Sequence, residues 1–272
     1  MYDATEPQDH SDPAAPAPWA ALSAELDGWT AAGRTATFWW RDDDAGEMAA
    51  PLDRLLKLRD RLDVGLALAT VPTRVDNAFR ARMSAEPSVA VLQHGYSHHN
   101  FATPEDRKIE LDGSRPAEYV IADLAVGMQA LKSLTNAIPV LVPPWNRIAP
   151  HLLPLLPELG YRGLSTLGPR KRPNALAGLR QNNVHIDPID WRGRERPVRA
   201  FTGTERAIAS AIEHLAVRRT SATDGEEATG LMTHHLVQDD DTWRFIEQFI
   251  THTNAHPAVK WLAAKDVFGL TA

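Results

Sequence analysis

Short apolar runs alternate along the chain with longer segments whose apolar residues recur at helical spacing. The apolar runs indicate strands, and they cover residues 35–40, 64–69, 88–92, 139–142, 163–165, 184–186 and 229–233. The helical patterns cover residues 19–26, 52–62, 74–83, 117–134, 151–159 and 206–218. A repeated strand-then-helix order with apolar strands is typical of a parallel sheet covered by helices. The pattern therefore predicts an α/β fold, a (β/α) barrel with about seven parallel strands.

Three segments depart from this rhythm. Residues 1–17 are rich in Pro, Ala and Asp, which predicts a disordered N-terminal tail ahead of a single folded domain at 18–272. Residues 100–116 and 168–183 form long polar connections. In a barrel, loops of this kind usually border the functional site.

The composition limits the function classes. The 272 residues are 43% hydrophobic and 24% charged, enough to bury one large core. A formal net charge of −6 and a pI near 6.0 argue against a broad surface for nucleic acid. There is no cysteine, which excludes disulfides and thiolate chemistry. We expect no nucleic-acid partner.

The sequence also carries no sign of membrane targeting. Its N-terminus lacks the basic start and the apolar stretch of a secretory signal. No later segment is long and apolar enough to span a bilayer. We expect a cytoplasmic protein without a membrane partner.

Polar clusters follow the predicted strands at the points where those strands end. Five clusters obey this rule, and they are residues 42–44, His94 with His98, 143–147, 187–191 and 234–235. The carboxyl ends of parallel barrel strands share one face, which is where barrel enzymes place their chemistry. The sequence therefore predicts one site built from all five clusters.

The first two clusters predict a metal. Adjacent carboxylates at 42–44 repel one another unless a cation or a proton shares the site. Two imidazoles and a carboxylate make a three-ligand site for a divalent ion with a position left for water. This ligand set suits zinc best, although iron, cobalt, nickel or manganese could occupy it. A nearby carboxylate base and an opposed imidazole acid would then allow amide hydrolysis.

These clusters resemble, in order, the five motifs of the polysaccharide deacetylase family, carbohydrate esterase family 4. The motifs are an Asp-Asp pair, a His-x-x-x-His, an Arg-x-Pro stretch, an Asp-x-x-Asp-Trp and a Leu-x-His, and their counterparts here span residues 35–235. The resemblance implies a distorted (β/α) barrel that removes acetyl groups from N-acetylated sugars. It also implies that Asp44, His94 and His98 bind the metal, that Asp43 is the general base and that His234 is the general acid.

The sequence departs from the family pattern at two places. Where the third motif carries an Arg that holds the base, this chain has Val142, so Arg41 or Arg147 would have to replace it. The triple aspartate also allows the pair to be Asp42 with Asp43. We prefer Asp43 with Asp44, because the following Ala-Gly fits the small-residue turn after the pair.

The remaining polar and aromatic residues suggest supporting roles. Asp187 or Asp190 could orient a metal ligand or the acid His234. Trp145 and Trp191 offer stacking faces for a sugar ring, with Asn146 beside them.

We therefore hypothesise a metal-dependent hydrolase that acts on an N-acetylated amino sugar or polysaccharide. Two alternatives stay open, namely a C–N hydrolase of a small cytosolic non-sugar amide and a non-catalytic barrel that binds carbohydrate.

Overall fold

The computed structural model describes residues 17–192, 199–221 and 225–270. The predicted tail lies outside these residues except for Ala17, and the first helix begins at Pro18. In the part of the chain that is described, no helix is both long and apolar enough to cross a membrane.

The elements follow the predicted alternation of strands and helices. The strands are β1 (Ala36–Ala45), β2 (Leu66–Thr70), β3 (Val89–His94), β4 (Ala137–Val142), β5 (Gly163–Leu164), β6 (Asn174–Leu176), β7 (Leu179–Gln181), β8 (Thr229–Thr233) and β9 (Val259–Trp261). The α-helices are α1 (Pro18–Ala31), α2 (Ala50–Leu62), α3 (Asn77–Ser84), α4 (Ala117–Leu131), α5 (Leu156–Leu159), α6 (Thr204–Thr220), α7 (Asp240–Asn254) and α8 (Ala264–Val267). Short 3-10 helices cover Pro72–Arg74, Pro144–Asn146 and Pro150–Leu155.

The strands form one sheet that curls into a barrel. Its order is β6-β7-β5-β4-β3-β2-β1-β8, and β9 pairs with β1. All the pairings are parallel except that of β6 with β7. The chain after β7 closes the ring, because Val184 bridges Leu167 on one side and Ile186 bridges Leu231 of β8 on the other. The segment at 184–186 and the strands β1, β2, β3, β4, β5 and β8 therefore make seven parallel segments around the barrel, which confirms the predicted fold.

The barrel interior contains a buried apolar cluster that includes Trp39 of β1. Trp39 of β1 is fully buried in a cluster with Ala67 and Ala69 of β2 and with Phe268. The rings of Trp39 and Phe268 meet edge to face at 5.6 Å. Phe268 follows α8, so this short helix closes the end of the barrel where β1 begins. The opposite end, where the strands finish, is left for the polar clusters.

Two predicted segments differ in detail from the structure. The predicted helix at 151–159 is instead a 3-10 helix followed by the single turn α5. Pro154 and Pro157 lack the backbone N–H that a continuous α-helix needs there. The predicted loop at 168–183 contains the β6-β7 hairpin, which turns at Gly178 with a φ of 77°.

Candidate metal centre and active site

The three consecutive aspartates point to three different environments at the end of β1. The pairing of β1 with β2 shifts register between Asp42 and Ala45, and Asp44 has a left-handed φ of 72°. Asp42 is fully buried against the end of β8, where it accepts hydrogen bonds from the Thr233 hydroxyl (2.6 Å) and from the backbone and ring of His235. Asp42 is therefore used within the fold, while Asp43 and Asp44 line a cavity.

Asp44 lies against both histidines of the second motif. Its Oδ1 is 3.4 Å from Nε2 of His94 and 3.1 Å from Nε2 of His98. This oxygen is buried and accepts no hydrogen bond from any described residue. One potential ligand atom from each residue lies within 4.8 Å of the other two. The structure thus brings together the three residues predicted to bind a metal.

The hydrogen bond that His94 makes through Nδ1 leaves its Nε2 free to act as a ligand. Its Nδ1 is 2.9 Å from the carbonyl oxygen of Val142, which can only accept. Nδ1 therefore carries the proton of the neutral ring, and Nε2 presents a lone pair to Asp44 Oδ1. Lone pairs that converge in a buried place repel one another, and a divalent cation removes that repulsion. These residues fit zinc or a similar ion.

Burial and charge set the protonation of these residues. Burial by itself raises the pKa of Asp44, but the charges of His94, His234 and His98 hold it well below its usual value. Burial lowers the pKa of His98 to about 4 against the attraction of Asp44. Burial also lowers the pKa of His94, yet Asp44 and Asp43 outweigh it and raise this pKa above its usual value. A cation at this place would thus compete with a proton on His94.

Backbone strain is concentrated around the same residues. Asp44, His98, Trp145 and Asn146 all have φ between 53° and 72°, which non-glycine residues rarely adopt. The rings of His98 and Trp145 lie 4.3 Å apart. Each strained residue costs about 1–3 kcal/mol, and such strain is retained mainly at functional sites.

A buried acid that the sequence did not indicate holds the loop that carries His98. Glu110 accepts hydrogen bonds from the backbone N–H of Ser97 (2.7 Å) and of Tyr96 (3.2 Å). Gly95 has a φ of 56°, and a Cβ there would lie 1.9 Å from Glu110 Oε2. Glu110 comes from the polar connection at 100–116, and no strand-end pattern marks it.

Arg41, one of the two residues predicted to hold Asp43 in place of a third-motif arginine, binds this aspartate. Its Nε and Nη2 donate to the two carboxylate oxygens of Asp43 at 2.8 and 2.9 Å. It also donates to Ser165 Oγ and to Asn146 Oδ1, both at 2.7 Å. Arg41 and Asp43 are both buried. Arg147, the other predicted candidate, instead donates to the Lys108 carbonyl and lines the cavity.

His234 lies next to Asp43 in the lining of the cavity. Its Nε2 lies 3.9 Å from Asp43 Oδ2, and its Nδ1 is buried without a hydrogen-bond partner among the described residues. The ring of Trp191 meets the His234 ring at 4.7 Å. The structure therefore places the predicted base and the predicted acid side by side.

The two aspartates of the fourth motif separate. Asp187 lines the cavity and accepts a hydrogen bond from Trp191 Nε1 at 2.7 Å. Burial raises the pKa of Asp187, although the charge of His234 opposes the change. Asp190 instead accepts from the backbone N–H of Arg192 and does not line the cavity. Of the two, Asp187 is the one placed to act on His234.

The cavity at the end of the barrel has a volume of about 720 Å³, which is within the range of small-molecule sites. Its lining contains residues from all five motifs, including Trp145, Asn146 and Trp191, which were predicted to bind substrate. Trp191 is 43% exposed. An exposed indole beside a polar cavity is suited to stacking on a sugar ring.

A second group of potential ligands, His185, His214 and Glu227, is buried on the flank of β8. Here the backbone N–H of Gly230 donates to Nδ1 of His185 (3.0 Å), so Nε2 carries the proton and faces Glu227 Oε1 at 3.5 Å. Glu227 also accepts from the backbone N–H groups of Arg170 and Asn183. With Nε2 of His185 protonated, this group forms a polar network and does not fit a metal.

No protein-family model and no curated protein matches this chain. Solved structures share its fold. A candidate polysaccharide deacetylase from Mycobacterium smegmatis superposes with a TM-score of 0.62 at 17% identity, over 88% of this chain and 90% of that one. The Puue allantoinase also gives 0.62, at 13% identity over 86% and 89%. A mutant of the peptidoglycan deacetylase PdaC from Bacillus subtilis gives 0.52, at 12% identity over 88% and 92%.

The shared architecture agrees with the order of the motifs along the chain. All five polar clusters lie at one end of the barrel, around the cavity. The chain therefore has the fold of the polysaccharide deacetylases, as its resemblance to carbohydrate esterase family 4 implies.

Proposed function

We propose that this chain is a divalent-metal-dependent hydrolase that removes the acetyl group from an N-acetylated amino sugar. The observation that carries the proposal is the convergence of Asp44, His94 and His98 beside a second, salt-bridged carboxylate and an opposed imidazole. Asp44 Oδ1 is buried and accepts no hydrogen bond among the described residues, whereas both carboxylate oxygens of Glu227 accept backbone N–H groups, from Arg170 and Asn183.

Asp44, His94 and His98 would hold the cation, and zinc is the ion that this ligand set suits best. A bound divalent cation polarises a carbonyl oxygen and lowers the pKa of water. Val142 contributes through its backbone carbonyl, which keeps the Nδ1 proton on His94.

Asp43 is the proposed general base. The guanidinium of Arg41 grips both of its carboxylate oxygens and fixes their position at the cavity wall. Arg41 is in turn held by Ser165 and Asn146. A carboxylate restrained in this way can take a proton from water without first reorienting.

His234 is the proposed general acid, which would protonate the departing amine. Its buried Nδ1 is unpaired among the described residues, and Asp187 supplies negative charge nearby. Trp191 covers one edge of the ring and borders the place where a sugar would lie.

The test is acetate release from N-acetylglucosamine oligomers by protein supplied with zinc or cobalt. Asp43→Asn and His234→Ala should each lower kcat by about 10²- to 10⁴-fold. His99→Ala is the matched control, because His99 is exposed, adjoins His98 and does not line the cavity. Failure to hydrolyse any N-acyl substrate with either metal would refute the proposal.

The same assays separate the alternatives. The similarity in fold to an allantoinase makes small non-sugar amides a necessary arm of the substrate screen. The two tryptophans at the cavity favour a sugar over these amides. A barrel that only binds carbohydrate would show saturable binding of the oligomers and no acetate release.

A further inference from the structure

The outer wall of the cavity is positively charged, in contrast to the chain as a whole. Five cationic side chains line it, and they are Arg107, Lys108, Arg147, Arg192 and Arg199. Among the described residues, the acids in the lining are Asp43, Asp44 and Asp187. The chain carries a formal net charge of −6, so a cluster of cations at the cavity is not a consequence of composition.

The three acids are already engaged in other ways. Asp43 pairs with Arg41, and Asp187 accepts from Trp191 Nε1. Asp44 lies against the two histidines. None of these three acids forms an ion pair with Arg107 or Arg147.

Arg107 and Arg147 are the best-defined pair of cations. Arg147 is half buried, and its Nη1 donates to the Lys108 carbonyl at 2.6 Å, which holds the guanidinium against the loop of Arg107. Burial and the neighbouring charge of Arg107 lower the pKa of Arg147. No carboxylate of the described residues forms an ion pair with either guanidinium.

Arg107 and Arg147 both line the cavity, and Arg147 contacts the loop of Arg107 through the Lys108 carbonyl, so both guanidiniums are available to an anion in the cavity. Guanidiniums bind phosphate and carboxylate oxygens through paired hydrogen bonds. Arg147 follows Asn146, which contacts Arg41, so this wall adjoins the proposed catalytic residues.

We propose that Arg107 and Arg147 bind a phosphate or carboxylate group of the substrate, which makes the substrate an anionic N-acetylated amino sugar. This inference rests on the proposed function, because it concerns the substrate of the same cavity. It narrows that substrate from neutral oligomers to sugars that carry a negative charge within reach of the acetamido group.

Kinetics on matched sugars tests the inference. N-acetylglucosamine, N-acetylglucosamine 6-phosphate and N-acetylmuramic acid share the acetamido group and differ in bearing no anion, a phosphate or a carboxylate. The kcat/KM of at least one anionic sugar should exceed that of the neutral one by about tenfold or more. The preferred arm identifies the anion, and the preference should shrink as salt is raised.

Arg147→Met and Arg107→Met should each reduce this preference, and the double variant should abolish it. Arg162→Met is the matched control, because Arg162 also donates to backbone carbonyls but lies just before β5, at the other end of the barrel. An equal loss of preference in the control would overturn the inference.

Binding to metal-free protein provides a second measurement that does not depend on turnover. Calorimetry in the presence of a chelator should show tighter binding of the preferred anionic sugar than of the neutral one, and the double arginine variant should remove the difference. If all three sugars are hydrolysed and bound equally well, the inference fails while the proposed function stands. If none is hydrolysed but the anionic sugar binds through the arginines, the proposed function fails and the anion site stands.

Discussion

Replacing either Arg41 or Asp43 should lower the free energy of unfolding by several kcal/mol, because the remaining partner would keep a buried charge without its counter-charge. Neither side chain is more than 2% exposed, and two hydrogen bonds of 2.8 and 2.9 Å join them. Arg41→Met would leave a carboxylate buried without its counter-charge. Removing one partner of such a pair costs about 3–5 kcal/mol of unfolding free energy.

The double variant separates the interaction energy between Arg41 and Asp43 from the energies of their contacts with other residues. Asp43→Asn alone should cost a similar amount, because it leaves the Arg41 charge uncompensated. Arg41→Met with Asp43→Asn leaves no buried charge, so its loss should be smaller than the sum of the single losses by about 2–3 kcal/mol. Part of the cost will remain, since Ser165 and Asn146 also lose their hydrogen bonds to Arg41.

Urea unfolding followed by tryptophan fluorescence and circular dichroism measures these differences. A chelator should be present so that metal binding does not mask the change. The pair of Arg54 and Asp240 is the matched control, since it has a similar 2.9 Å contact but is exposed. The same cycle there should give less than about 1 kcal/mol. Additive losses at Arg41 and Asp43 would refute the argument that burial makes this pair strong.

Three further predictions concern the cation, the His98 loop and stability in acid. Zinc at 100 times its Kd should raise the unfolding free energy of the metal-free protein by about 2.7 kcal/mol. It should leave the stability of Asp44→Asn unchanged. A melting temperature that does not shift with zinc in calorimetry would contradict the site. Glu110→Gln should lower the unfolding free energy by about 1–3 kcal/mol. It should also weaken zinc binding in a titration, because Glu110 holds the backbone before His98. An unaltered zinc affinity would show that Glu110 does not support the metal site. Burial lowers the pKa of His185 to about 4 from 6.5, so the stability it contributes is full above about pH 6.5 and falls by up to about 3 kcal/mol as the pH drops through 4. His185→Asn should flatten this decline in unfolding free energy measured in the absence of zinc, and a slope equal to that of the original chain would refute it.

The sequence alone determined the barrel and the end of it that carries the polar residues. Seven apolar runs alternate with helical patterns, and each polar cluster follows a run. Parallel strands leave no choice about where those clusters meet, because all their carboxyl ends lie on one face. For the same reason, Asp44, His94, His98 and His234 could be grouped from the sequence before their contacts were seen.

Only the tertiary structure decided which neighbour each of these side chains has. The irregular pairing at the end of β1 turns Asp42 toward β8 and leaves Asp43 and Asp44 at the cavity. Arg41 reaches Asp43 because it lies on the same strand, two residues before the carboxylate it binds. Glu110 reaches the His98 loop from a connection that shows no pattern. Periodicity specifies which element a residue belongs to, but a register shift or a loop contact depends on atoms far away in sequence, and no local pattern encodes them.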